Sequence, residues 1–103
     1  MIRLTLHETD GQLTGFECAG HAGFAQAGQD IVCAAVSILT TTCANALESV
    51  AGVAPKVSAS DGEMILSIPR DAGRDAQVIL MAMRQGLRDL AEAYPRYFRL
   101  IER

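Results

Sequence analysis

Several things are missing from this chain, and each absence narrows what it can be. No uninterrupted apolar run reaches the roughly 18 residues of a membrane span. The start Met1-Ile2-Arg3-Leu4 has no signal-peptide layout, so a cytoplasmic protein is expected. Three cysteines, an odd number without framework spacing, read as reduced thiols rather than staples. The lack of a Cys-x-x-Cys pair disfavours a thiol redox protein. No P-loop or dinucleotide spacing is present, so Gly20, Gly23 and Gly28 do not read as a phosphate cradle. Excess positive charge is absent too. A net charge of −3 and a pI near 5.2 argue against nucleic-acid binding as the main task. With no linker or low-complexity tract, residues 1–103 read as a single domain.

What is present is a clear alternation of periods. Half the residues are hydrophobic and a fifth are charged, which suits a packed core rather than disorder. Ile2, Leu4 and Leu6 alternate with Arg3, Thr5 and His7, a half-buried strand. Asp10-Gly11 marks a tight turn, and Leu13–Ala19 returns with Phe16 and Cys18 facing inward. A second hairpin pairs Lys56–Ser60 with Met64–Ile68 around Asp61-Gly62, and Pro69 closes it. Between the hairpins, Asp30 to about Ala51 reads as a helix with the stripe Val32, Val36, Leu39, Cys43, Leu47 and Val50. Asp30 is its N-cap, and Gly52 and Pro55 mark its exit. A second helix spans about Asp75 to Tyr94, with Ile79, Leu80, Met83, Leu87, Leu90 and Tyr94 on one side. Arg96–Arg103 suits a short last strand. The expected fold is α+β: a two-layer sandwich in which two helices cover one face of a mostly antiparallel sheet, in the order β-β-α-β-β-α with a possible C-terminal strand.

The chemistry concentrates in Gly20-His21-Ala22-Gly23 and in Asp30-Ile31-Val32-Cys33-Ala34-Ala35-Val36-Ser37. Cys43 falls on the helical stripe and Cys18 on an inward strand face, so both read as core. Cys33 differs, because an N-cap at Asp30 puts it in the first helical turn, about 100° round from Val32. Thiolate is the attacking form of cysteine, and a helix N-terminus beside a histidine favours it. The Asp30 carboxylate opposes that ionisation, so the helix end and His21 must outweigh it. The loop between Ala19 and Asp30 is long enough to carry His21 back to Cys33, where imidazole takes the thiol proton and later returns one to the leaving amine. Gly20 and Gly23 let that loop turn sharply. Backbone N–H groups at the helix start are the expected oxyanion donors. Asp30 caps the helix or orients the histidine. Ser37, one turn past Cys33, contacts substrate or sulfur, or bonds back to its own helix.

Other readings are weaker. Cys18-x2-His21 has ligand-like spacing, and Cys33 offers a third ligand. Cys43, however, lies ten residues beyond Cys33, roughly 15 Å along a helix, so no shared tetrahedral site forms. No metal and no cofactor are expected. His7 reads as a solvated strand residue, and Arg84, Arg88, Arg96, Arg99 and Arg103 as a solvated face.

Taken together, the two motifs resemble those of the bacterial ribosomal-processing cysteine proteases, and the likeness runs more weakly through Asn45 and Leu47 to Tyr94-Pro95. The resemblance implies a catalytic dyad of His21 and Cys33, with Asp30 and Ser37 assisting. It also implies a homodimer, and an endopeptidase that removes the N-terminal extension of a large-subunit ribosomal protein, number twenty-seven in the standard series. The competing reading is a non-catalytic ribosome-assembly factor whose cleft binds such a tail without cutting it. Neither reading involves a membrane or direct nucleic-acid binding.

Overall fold

A computed structural model describes residues 1–20, 23 and 30–103. Its elements are β1 (Ile2–Thr9), β2 (Gln12–Ala19), α1 (Ile31–Ser49), β3 (Lys56–Ser60), β4 (Glu63–Ser67), α2 (Arg74–Ala93) and β5 (Phe98–Glu102). The expected element order is present, C-terminal strand included. The sheet runs β3-β4-β2-β1-β5. Three of its pairings are antiparallel, and β1 with β5 is parallel.

Alternation fixes the core face. Ile2, Leu4 and Leu6 of β1 are buried, and Leu4 and Leu6 lie opposite Cys18 and Phe16. Near its start β2 carries a bulge: His7 pairs with Gly15 but Glu8 with Leu13, so Thr14 is the extra residue. The slip turns Leu13 into the core, where it is 3% exposed. Gln77 of α2 then serves the displaced backbone. Its Oε1 accepts from the Leu13 N–H at 2.8 Å, and its Nε2 donates to the Leu13 carbonyl at 2.7 Å. Further along α2, Arg88 donates two hydrogen bonds to Glu102, fastening α2 to β5.

The helical stripes differ in detail from the sequence expectation. In α1 the buried line is Val32, Val36, Thr40, Cys43 and Leu47. Val50 is 70% exposed and Leu39 only half-buried, so the apolar spacing over-reached at both places. Thr40 enters the core because its hydroxyl donates to the Val36 carbonyl at 2.9 Å, which satisfies the polar atom locally. In α2, Ala76, Leu80, Met83, Leu87 and Leu90 are buried, while Ile79 is half-buried.

One exclusion drawn from the sequence needs correcting. With mean hydropathy 1.5, α1 is by length and composition apolar enough to cross a membrane. Threonines, serine and asparagine interrupt its apolar residues, so no continuous run reveals this, yet Glu48 is its only charge. The five residues of its buried line belong instead to the interior of this fold.

Candidate active site

Why α1 begins where it does decides where Cys33 sits. Asp30 is extended (φ −79°, ψ 105°) and 9% exposed. One of its carboxylate oxygens accepts from the Val32 N–H at 3.0 Å and the Cys33 N–H at 2.9 Å. Its backbone carbonyl takes the Ala34 N–H at 3.1 Å. The carboxylate therefore caps the helix, an interaction typically worth about 1 kcal/mol. Val32 points into the core with no exposure, and the next residue, 100° further round, comes out half-buried at the edge of a cavity. That residue is Cys33.

Capping bears on the expected oxyanion donors: Asp30 engages the N–H groups of Val32, Cys33 and Ala34, and Ile31 has the remaining N–H of the first turn.

The cavity has a volume of about 350 Å³ and lies between α1 and the β3–β4 side of the sheet. Its α1 wall is formed by Cys33, Val36, Ser37, Thr40 and Thr41. Cys18, Met64 and Ala59 lie side by side across β2, β4 and β3 and make the floor. The turn of the second hairpin supplies a polar rim, with Ser60, Asp61 and Glu63. Ser37 is exposed and faces this space one turn beyond Cys33.

Gly20 closes the near end. Its N–H donates to the Gly62 carbonyl at 3.0 Å, joining the end of β2 to the hairpin turn. Its φ is +101°, and a Cβ there would stand 2.4 Å from the Met1 carbonyl oxygen, so only glycine fits. Gly23 has φ +71° with open space around it. His21 lies outside the described residues, as does Gly28. The chain nevertheless enters the His21 segment from the cavity wall at Gly20 and returns to that wall at Cys33.

The three cysteines are thiols, with no disulfide among them. Burial pushes the Cys43 thiol up to about 11, as befits its core position. Cys18 is also pushed up to about 11, first by burial and then by the neighbouring Cys33 charge. Cys18 is thus no simple core residue, as the strand pattern implied, but a half-buried part of the cavity floor. Sequence reasoning likewise missed the hairpin rim. Asp61-Gly62 signals a turn, but only the β2–β4 pairing brings that turn to Cys33, and strand order is not written in local periodicity. Elsewhere, His7 is exposed and pairs with Glu17 across the hairpin at 2.9 Å. Arg84 lies 3.9 Å from Glu8. Among the described residues no cluster suited to holding a metal is present.

Comparison with known proteins places this geometry. The model of the family "Cysteine protease Prp" matches residues 1–99. The ribosomal processing cysteine protease Prp of Bacillus subtilis is 33% identical over 101 residues, covering 91% of this chain and 90% of that protein. Among solved structures, Staphylococcus aureus Prp in complex with a covalently linked product peptide superposes with a TM-score of 0.95 at 28% identity, over 100% of both chains. The same protease in complex with a substrate peptide gives 0.89 at 27% identity, again over the full length of both.

Proposed function

The chain belongs to the Prp family of cysteine proteases, and on that premise we propose that it is a ribosomal-processing endopeptidase acting through Cys33 and His21. Its substrate is the N-terminal extension of a large-subunit ribosomal protein, number twenty-seven in the standard series, and its product is the mature ribosomal protein. The observation that carries the reading is Cys33 itself: half-buried, held by the Asp30 cap at the first turn of α1, and opening into a cavity large enough for substrate side chains. The B. subtilis relative is called a ribosomal processing protease, and the S. aureus one has been crystallised with substrate and product peptides.

In this mechanism His21 takes the thiol proton, and the sulfur attacks the scissile carbonyl. The imidazolium then protonates the leaving amine, and water hydrolyses the thioester with the histidine as base. Asp30 fixes the direction of the Cys33 backbone. Ser37 meets the substrate one turn along α1. The enzyme acts in the cytoplasm, as a homodimer. An apolar groove of about 340 Å³ between α1 and α2, lined by Ile38, Leu39, Ile79 and Met83, supports that assembly. Ile38 is 65% exposed there.

The test uses a peptide spanning the extension and the mature start of the ribosomal protein, with products read by mass spectrometry. One cut is expected. Cys33→Ala or His21→Ala should lower the rate by at least about a thousandfold. Full turnover by Cys33→Ala would refute the assignment, and binding without cleavage by the unaltered chain would favour the assembly-factor reading.

A further inference from the structure

Cys18 takes no part in the hydrolysis described above, yet it shares the cavity with the nucleophile. The two sulfur-bearing side chains approach from opposite layers, Cys18 from the sheet and Cys33 from α1, and line one space. They are close enough for the charge on one to act on the other. Cys43, by contrast, is 3% exposed in the core. A thiolate able to attack a carbonyl is also the form that peroxides oxidise. Without a partner it proceeds to sulfinic and sulfonic acids, which are not reversed by thiols.

We propose that Cys18 is a resolving thiol, and that peroxide reversibly silences the protease by closing an intramolecular Cys18–Cys33 disulfide. In the first step the Cys33 thiolate attacks one oxygen of hydrogen peroxide. The O–O bond breaks, hydroxide leaves, and Cys33 becomes a sulfenic acid. In the second step the Cys18 sulfur attacks the Cys33 sulfur and the S–O bond breaks. The departing hydroxide and the Cys18 proton leave as water. In sum, two thiols lose two electrons and one peroxide becomes two waters. A dithiol reductant reverses the bridge by exchange.

Electrostatics orders these steps. While Cys33 is charged, it adds to the burial that keeps Cys18 protonated, so the second sulfur stays out of the hydrolytic chemistry. A neutral sulfenic acid removes that contribution, and Cys18 ionises more readily once it is needed. The proposal rests on Cys33 being the reactive thiol, but not on which peptide the enzyme cuts.

The experiment treats the full chain with excess hydrogen peroxide, enough to carry an unpartnered thiolate past sulfenic acid, followed by intact-mass measurement and non-reducing digestion. Cleavage after Glu17 and Asp30 separates the two cysteines, and fragmentation distinguishes Cys33 from Cys43. The expected result is a mass lower by two hydrogen atoms, a Cys18–Cys33 cross-linked peptide, and activity that is lost and then restored by dithiothreitol. Cys18→Ala should show no bridge, sulfinic or sulfonic acid on Cys33 (two or three added oxygens), and no recovery. Cys18→Ser serves as a second variant, each being compared with its own untreated activity. Oxygen added to Cys33 of the unaltered chain with no mass loss would overturn the proposal. So would a bridge through Cys43 or between two chains, or recovery that survives Cys18→Ala. Because the bridge is read from mass, failure of the ribosomal substrate assignment leaves this test interpretable.

Discussion

At the scale of single residues, three cysteines of one chemical type have three separate fates, set by a few ångströms of placement. Cys43 lies on the buried line of α1, and Cys18 lies on a strand but under a cavity. Cys33 is one residue past the last core position of the first helical turn. Burial of Cys18 and Cys43 has a measurable consequence. Unfolded thiols release their protons near 9.0, whereas these two hold theirs to about 11. Between those values the unfolded chain binds fewer protons than the native one, so stability should fall as pH rises from 9 to 11. Urea titrations at a series of pH values should show that slope, and Cys43→Ala should flatten it. An identical slope in the variant would mean that Cys43 is not held protonated in the fold. The position of Cys33 in the first turn of α1 was legible in the sequence, because Asp30 announces the helix start three residues earlier. The place of Cys18 in the site was not, because β-periodicity reports only which face a residue occupies, not what lies above that face.

At the scale of elements, Asp30 joins fold to chemistry, since one carboxylate oxygen holds two N–H groups of the turn that carries Cys33. Asp30→Ala should cost about 1 kcal/mol, measured by urea denaturation, and slow peptide cleavage as well. Asp30→Asn keeps the cap and should recover most of that stability. If Asp30→Ala were as stable as the unaltered chain, the cap would have no energetic weight. The hairpins, both helices and the last strand were foreseen from alternation and turn chemistry. Less visible were the bulge at Thr14 and the parallel placing of β5 beside β1, since both depend on pairing between distant segments. The buried Thr40 and exposed Val50 have a simpler origin. Helical position decides burial, and a threonine that bonds its own backbone is admitted where a valine one turn too far is not.

At the scale of the whole molecule, the strand order turns two unremarkable hairpins into a site. Placing β4 against β2 sets the Asp61-Gly62 turn, the end of β2 and the start of α1 around one cavity. The groove between α1 and α2 presents apolar surface, with Ile38 65% exposed beside Leu39, Ile79 and Met83. If two copies meet there, Ile38→Glu should shift the protein from dimer to monomer in analytical ultracentrifugation while leaving its circular dichroism unchanged. A variant that stays dimeric would place the interface elsewhere.

The proposed mechanism requires the His21 imidazole to reach the Cys33 sulfur. The most direct measurement is the rate of Cys33 alkylation by iodoacetamide across pH, in the unaltered chain and in His21→Ala, with each cysteine followed by peptide mass spectrometry. The account predicts that at neutral pH Cys33 reacts well ahead of Cys18 and Cys43, and that removing His21 slows Cys33 alone. Equal rates at all three cysteines, or a Cys33 rate indifferent to His21, would contradict it.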